Sequence, residues 1–168
     1  MSISIHQASA PVFIQGLKGL KGVLAKAAAH VEAKGWDPDA LLKARLYPDM
    51  FPLIRQVQIA TDFAKGGAAR LAQADVPAWD DVETSFPELI ARVERAIAFV
   101  EGLEAAAFEG AETREVSLTR RGETHVFNAV DYLRGQAIPN FYFHLATAYA
   151  ILRHNGVEIG KRDFLGAA

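Results

Sequence analysis

Apolar residues recur every three or four positions through four long stretches of this chain and alternate in only one short stretch. The first stretch, Ser4 to Lys34, carries Phe13, Leu17, Leu20, Leu24 and Val31, the spacing that lines one side of an α-helix. Ser4 followed by Gln7 fits a capping box. Pro11 predicts either a kink or a later start, capped by Ser9 with Pro11 in the first turn. Gly35-Trp36-Asp37-Pro38 breaks the chain, and Asp37 can cap a short turn through Leu42. The second stretch, Asp49 to Ala74, has Pro52 in its first turn and Leu53, Val57, Ala60, Ala64, Ala68 and Leu71 on one stripe. Asp75 to Asp81 reads as a connection, marked by Pro77. In the third, Ser85-Phe86-Pro87-Glu88 is a capping box leading into Phe86, Ile90, Val93, Ile97 and Val100, with Gly102 at the end.

The period then changes to two. Glu115 to Thr119 alternates, Arg120-Arg121-Gly122 turns, and Thr124 to Phe127 returns, which predicts a β-hairpin. The fourth helical stretch starts at Asn128, an N-cap, with Phe127 and Tyr132 placed as a hydrophobic staple. It should kink at Pro139 and stop at Asn155-Gly156, leaving a polar tail. The expected fold is all-α: one domain over residues 1–168, a four-helix bundle with a small β-hairpin between the third and fourth helices.

Composition narrows the function classes. The 168 residues are 51% hydrophobic and 23% charged, with a formal net charge of -2. That is a folded profile without the basic footprint of a nucleic-acid binder. The absence of cysteine excludes thiolate chemistry and Cys-based zinc sites. No charged side chain lies between Arg134 and Arg153, but Gln136, Pro139, Asn140, His144 and Thr147 interrupt that segment. It therefore reads as a central bundle helix rather than a membrane span. With no signal peptide at the N-terminus, a cytoplasmic protein is expected. Gly16, Gly19 and Gly22 recur every three residues without a preceding strand, so they are points of close approach or tolerated glycines rather than a nucleotide loop.

One polar residue interrupts the apolar stripe of the fourth helix. Leu133, Ala137, Phe141, His144, Ala148 and Ile151 share a face. A buried imidazole without partners costs about 1–3 kcal/mol, so His144 is either bonded structurally or part of a ligand, proton-transfer or metal site. A second histidine one turn away would mark a metal site, but residue 140 is Asn and residue 148 is Ala. Gln56, Gln58 and Asp62 on the second helix are the candidate partners. Arg55 and Asp62, two turns apart, read as a solvated ion pair. Tyr149 joins the candidates from an aromatic cluster with Phe141, Tyr142 and Phe143. These rings point in several directions, so some should fill a second interface, and a homodimer is expected. His6, His30, His125 and His154 read as capping or surface residues. The sequence has no phosphate loop, nucleophile elbow or paired-carboxylate motif.

Two long phrases, LYPDMFPLIRQVQIATDFAKGGAARLA and PNFYFHLATAYAILRHNGVEIGKRDFLG, with SFPELIARV and AFEGAETREV between them, resemble an uncharacterised domain-of-unknown-function family of the DinB/YfiT-like superfamily. The resemblance covers nearly the whole chain. It implies an up-down-down-up four-helix bundle, often dimeric. In metal-binding superfamily members one histidine comes from the second helix and two, spaced four apart, from the fourth. His144 matches the first of that pair, Ala148 stands at the second, and Gln56 or Gln58 stands near the place on the second helix. The resemblance thus implies a protein related to metalloenzymes with its ligand triad lost. No metal or other cofactor is expected; zinc or nickel would enter only through His144 with an atypical ligand set, in a thiol-transferase-like enzyme. The expectation is a protein that binds a small molecule or partner near His144. A third possibility is a structural or interaction protein in which His144 only supports the fold.

Overall fold

The computed structural model describes residues 3–120 and 122–166. Helix α1 spans Ile5–Lys34. Ser4 Oγ accepts the Gln7 N–H at 3.2 Å and Gln7 Oε1 accepts the Ser4 N–H at 3.1 Å, so the capping box forms. Pro11 lies inside the helix without ending it, and Ser9 donates its hydroxyl to the Ile5 carbonyl (2.6 Å) instead of capping a later start. Gly35 closes α1 in the left-handed region, at φ 63°.

Helix α2 (Asp39–Leu42) starts where Asp37 Oδ1 accepts the Asp39 N–H (3.0 Å). Helix α3 (Leu53–Leu71) begins four residues later than the expected Asp49. Pro48 and Pro52 push the residues before them, Tyr47 and Phe51, out of the helical region. The chain leaves α3 through Gln73, a left-handed residue at φ 54°. Helix α4 spans Phe86–Glu101. Ser85 Oγ accepts the Glu88 N–H at 3.4 Å, while the Glu88 carboxylate reaches back to the Thr84 N–H at 2.7 Å. That backbone bond is the main reason the Glu88 carboxyl titrates below the usual range.

Strands β1 (Glu115–Arg120) and β2 (Glu123–Asn128) pair antiparallel, with Ser117 opposite Val126 and Thr119 opposite Thr124. Val116 and Leu118 are buried against the bundle, which stabilises a hairpin that would be marginal alone.

The fourth long helix is composite. Asn128 Oδ1 accepts the Val130 N–H (2.9 Å) and starts α5 (Ala129–Tyr132). A π-helical turn follows over Leu133–Ala137, and α6 runs over Ile138–His154. Pro139 supplies the reason: it has no N–H for the carbonyl of Gly135, and its ring would strike that carbonyl in a regular α-turn. A wider turn just before the proline relieves both problems. Gly156 ends the helix at φ 88°.

The segment after Gly156, expected as a polar tail, folds back on α1. Val157 and Ile159 are buried. Helix α7 (Lys161–Phe164) sits beside α1, where Gln15 Nε2 donates to the Leu165 carbonyl (2.6 Å) and Lys26 pairs with Asp163 (2.6 Å). The approach is close enough that a Cβ at Gly19 would lie 2.3 Å from the Phe164 oxygen.

Around the bundle, α3 packs against α6 and α4, and α1 packs against the other sides of the same two helices. The core between them holds Phe13, Leu17, Leu20, Leu24, Leu53, Leu71, Leu89, Phe141 and Leu145, all essentially sealed from solvent. Phe13 and Phe141 meet edge to face at 5.3 Å. The Phe141 ring occupies the space of the missing Gly16 side chain. Among the described residues no helix is long and apolar enough to cross a membrane.

Candidate functional site

The seam between α3 and α6 holds His144. Its Nδ1 lies 2.7 Å from Gln56 Oε1. Gln56 is itself buried, and its Nε2 donates to the Phe51 carbonyl at 3.1 Å. That second bond orients the amide. With its nitrogen committed to a carbonyl, Gln56 presents oxygen to the ring, so His144 Nδ1 must carry the proton. In the neutral ring the proton is then absent from Nε2, which keeps its lone pair. Among the described residues Nε2 has no hydrogen-bond partner, and it is not sealed from solvent. Burial, and secondarily the nearby Arg55 charge, hold the imidazole below its usual pKa, which favours the neutral form at neutral pH.

Rings hold the imidazole in place. Phe63 stacks on it (5.9 Å, 13° between planes) and Phe143 meets it edge-on at 5.2 Å. Phe51 and Phe143 are exposed by 55% and 57%. His144 is therefore at the margin of the core rather than inside it. The buried positions of α6 are Phe141, Leu145, Thr147, Ala148, Ile151 and Leu152, so the predicted face forms and His144 lies half-buried at its edge.

A second polar assembly lies on the other side of α3, centred on Arg92. Its side chain is only 2% exposed. Nε donates to Thr61 Oγ1 (2.8 Å), and one terminal nitrogen donates to the Asp80 carbonyl and to Glu83 Oε1, both at 3.0 Å. The other reaches Asp62 (3.1 Å) and Asp81 (3.0 Å). Each acid has a further partner: Lys65 for Asp62 (3.0 Å), Arg55 for Asp81, and Gln58 for Glu83 (2.8 Å). Lys65 also donates to the Pro77 carbonyl at 2.8 Å. The Trp79 ring receives Lys65 at 4.2 Å and Arg95 at 4.3 Å, geometry suited to cation–π attraction. Charge-assisted bonds thus tie the irregular 72–85 connection to α3 and α4.

The sequence candidates divide between these assemblies. Gln56 and His144 come together. Gln58 and Asp62 join Arg92 instead, because residues two apart on a helix point in nearly opposite directions. Tyr149 packs on Phe164 at 5.6 Å, beside α7. Arg55 and Asp62 pair with Asp81 and Arg92 rather than forming a solvated pair of their own. Sequence reading missed Arg92, Lys65, Thr61, Glu83 and Trp79. The available signal was phase: Arg92 falls between Leu89 and Ala96, both buried, on the inner face of α4. The other histidines lie apart. His6 packs on Phe108, and His30 on Trp36 with its Nε2 buried and, among the described residues, without a hydrogen-bond partner. His125 and His154 are exposed.

The metal implied by the superfamily does not fit these residues. Gln56 occupies His144 Nδ1, and the position one turn on is the buried, donorless Ala148. Among the described residues no three His, Asp or Glu side chains converge where they could hold an ion.

Comparison with known proteins agrees with the fold. A crystal structure at 1.83 Å resolution of a DinB family member protein from Shewanella denitrificans is 43% identical and superposes with a TM-score of 0.90. The similarity covers 98% of this chain and 93% of that one. No curated protein matches this chain. The family model described as Domain of unknown function (DUF1993) matches residues 5–165. The chain therefore belongs to the DUF1993 family, an uncharacterised family of DinB-like proteins.

Proposed function

We propose that this DinB-like bundle binds a small molecule at the α3–α6 seam through His144, without a metal, and that it works as a cytoplasmic homodimer. One observation carries the reading: Gln56, oriented by the Phe51 carbonyl, takes His144 Nδ1 and leaves Nε2 open to solvent on a ring held by Phe63 and Phe143. An imidazole oriented from behind by a carbonyl oxygen is equipped to accept a proton or a hydrogen bond from a ligand. Phe51 and Phe143 offer apolar surface for the ligand body or for a second subunit, and Arg55 offers a positive charge beside them.

A fragment screen by thermal shift, run in parallel on the wild type and His144→Ala, tests the binding. Fragments that stabilise only the wild type support it; identical hits on both proteins refute it. Metal analysis of untagged protein separates this reading from a metal-dependent, thiol-transferase-like enzyme. The expected content is below about 0.1 equivalent of zinc or nickel, whereas functional ligation would be stoichiometric. Light scattering tests the dimer: a strict monomer at micromolar concentration would remove the subunit interface from the proposal.

A further inference from the structure

Helix α3 and the hairpin flank a half-open cavity of about 220 Å³, lined by Asp62, Phe63, Arg70, Ser117, Thr119 and Tyr132. Arg70 is half-buried, yet among the described residues its guanidinium has no carboxylate, carbonyl or ring partner. Its place is built into the helix: Gly66, one turn earlier, lets the guanidinium fold back across the backbone. A Cβ at residue 66 would lie 2.6 Å from one of its terminal nitrogens. The buried cations of α3 and α4 are engaged, Lys65 with Asp62 and Arg92 with three acids; half-buried Arg70 is not.

We propose that this cavity binds a small organic carboxylate, with the Arg70 guanidinium as its anion-binding group. The planar fork of arginine matches a carboxylate in two parallel hydrogen bonds. Phe63, half-buried, gives the cavity an aromatic side for a small carbon body. The volume lies below the roughly 300–1,000 Å³ of drug-sized pockets, so the occupant is small. The charge count favours one negative charge. Asp62 shares the lining, but Lys65 and Arg92 already offset it. Among the described residues Arg70 is the one uncommitted cation of the lining, which suits a monoanion better than a doubly charged phosphate. The site stands apart from the His144 Nε2 contact, although Phe63 belongs to both, with one face of its surroundings in the cavity and its ring stacked on the imidazole.

The test is an NMR titration of the full chain with benzoate, its neutral isostere benzamide, and inorganic phosphate. Benzoate should shift the Ser117–Thr119 amides and the Arg70 side-chain N–H saturably, with a dissociation constant on the order of 1 mM, the weak end of specific binding. Benzamide should bind at least tenfold more weakly. Arg70→Gln should weaken benzoate at least tenfold. Arg70→Lys, which keeps the charge and loses the fork, should fall between. The benzoate shifts should centre on Arg70 and Ser117–Thr119 rather than on the His144 ring, so a failure of the imidazole reading would be distinguishable from a failure here. Equal shifts from benzoate and benzamide, stronger shifts from phosphate, or benzoate shifts centred on the His144 ring would overturn the proposal. The Arg70 N–H signal of the wild type reads the contact directly if Arg70→Gln does not fold.

Discussion

Removing Arg92 should unfasten the 72–85 connection and cost the bundle about 3 kcal/mol. Breaking a buried ion pair by deleting one partner costs about 3–5 kcal/mol, because the other charge is left buried and unpaired. Two features place Arg92→Ala at the low end. Asp62 and Asp81 are 39% and 35% exposed, so water can solvate them once the guanidinium is gone. Each acid also keeps a second partner: Lys65, Arg55 and Gln58 remain in place. What is lost outright is the buried bond to Thr61, the bond to the Asp80 carbonyl, and the volume of the arginine stem. For a domain of this size about 3 kcal/mol lowers Tm by roughly 6–12 °C. Urea denaturation of the wild type and Arg92→Ala measures the difference, with an unchanged slope showing that the same surface unfolds. Hydrogen exchange should accelerate first in residues 76–84. A loss below about 1 kcal/mol, the value of solvent-exposed pairs, would refute the view that Arg92 clamps this connection.

Three further tests address other parts of the structure. The folded-state pKa of His144 lies below its unfolded value of about 6.5. Its stabilising contribution should therefore be fully present above about pH 6.5 and be lost as pH falls through the depressed value; urea midpoints of His144→Gln should lose less than the wild type over that window. The three glycines of α1 should respond differently to alanine. Gly22→Ala meets open space and should stabilise by about 0.5–1 kcal/mol. Gly16→Ala strikes the Phe141 ring at 2.6 Å and should cost about 1–3 kcal/mol, and Gly19→Ala should detach the α7 segment, visible as faster exchange over residues 160–166. Gln73→Gly should raise the thermal midpoint, since the left-handed conformation at φ 54° costs an L-residue about 1 kcal/mol that glycine does not incur.

Periodicity and capping chemistry are local, and they made the element order readable from the chain. The apolar stripes, the Ser4 and Asn128 caps, the hairpin alternation and the Gly35 and Gly156 stops all appear where their residues require them. The resemblance in the α3 and α6 phrases added the superfamily, and the histidine on the fourth helix was visible as a polar break in an apolar face. Partnership was not visible, because it depends on which faces the bundle turns toward each other. Gln56 and Gln58 look equivalent in sequence, yet one orients His144 and the other holds Glu83. Pro139 announced a distortion but not its form, the π-turn over Leu133–Ala137. Arg92, Lys65 and the acids that surround them are ordinary charged residues until the 72–85 connection crosses α3 and α4. The local code of this chain determined its helices, caps and hairpin; the tertiary packing alone decided which polar groups meet, because hydrogen bonds and ion pairs between elements depend on distances that no local pattern contains.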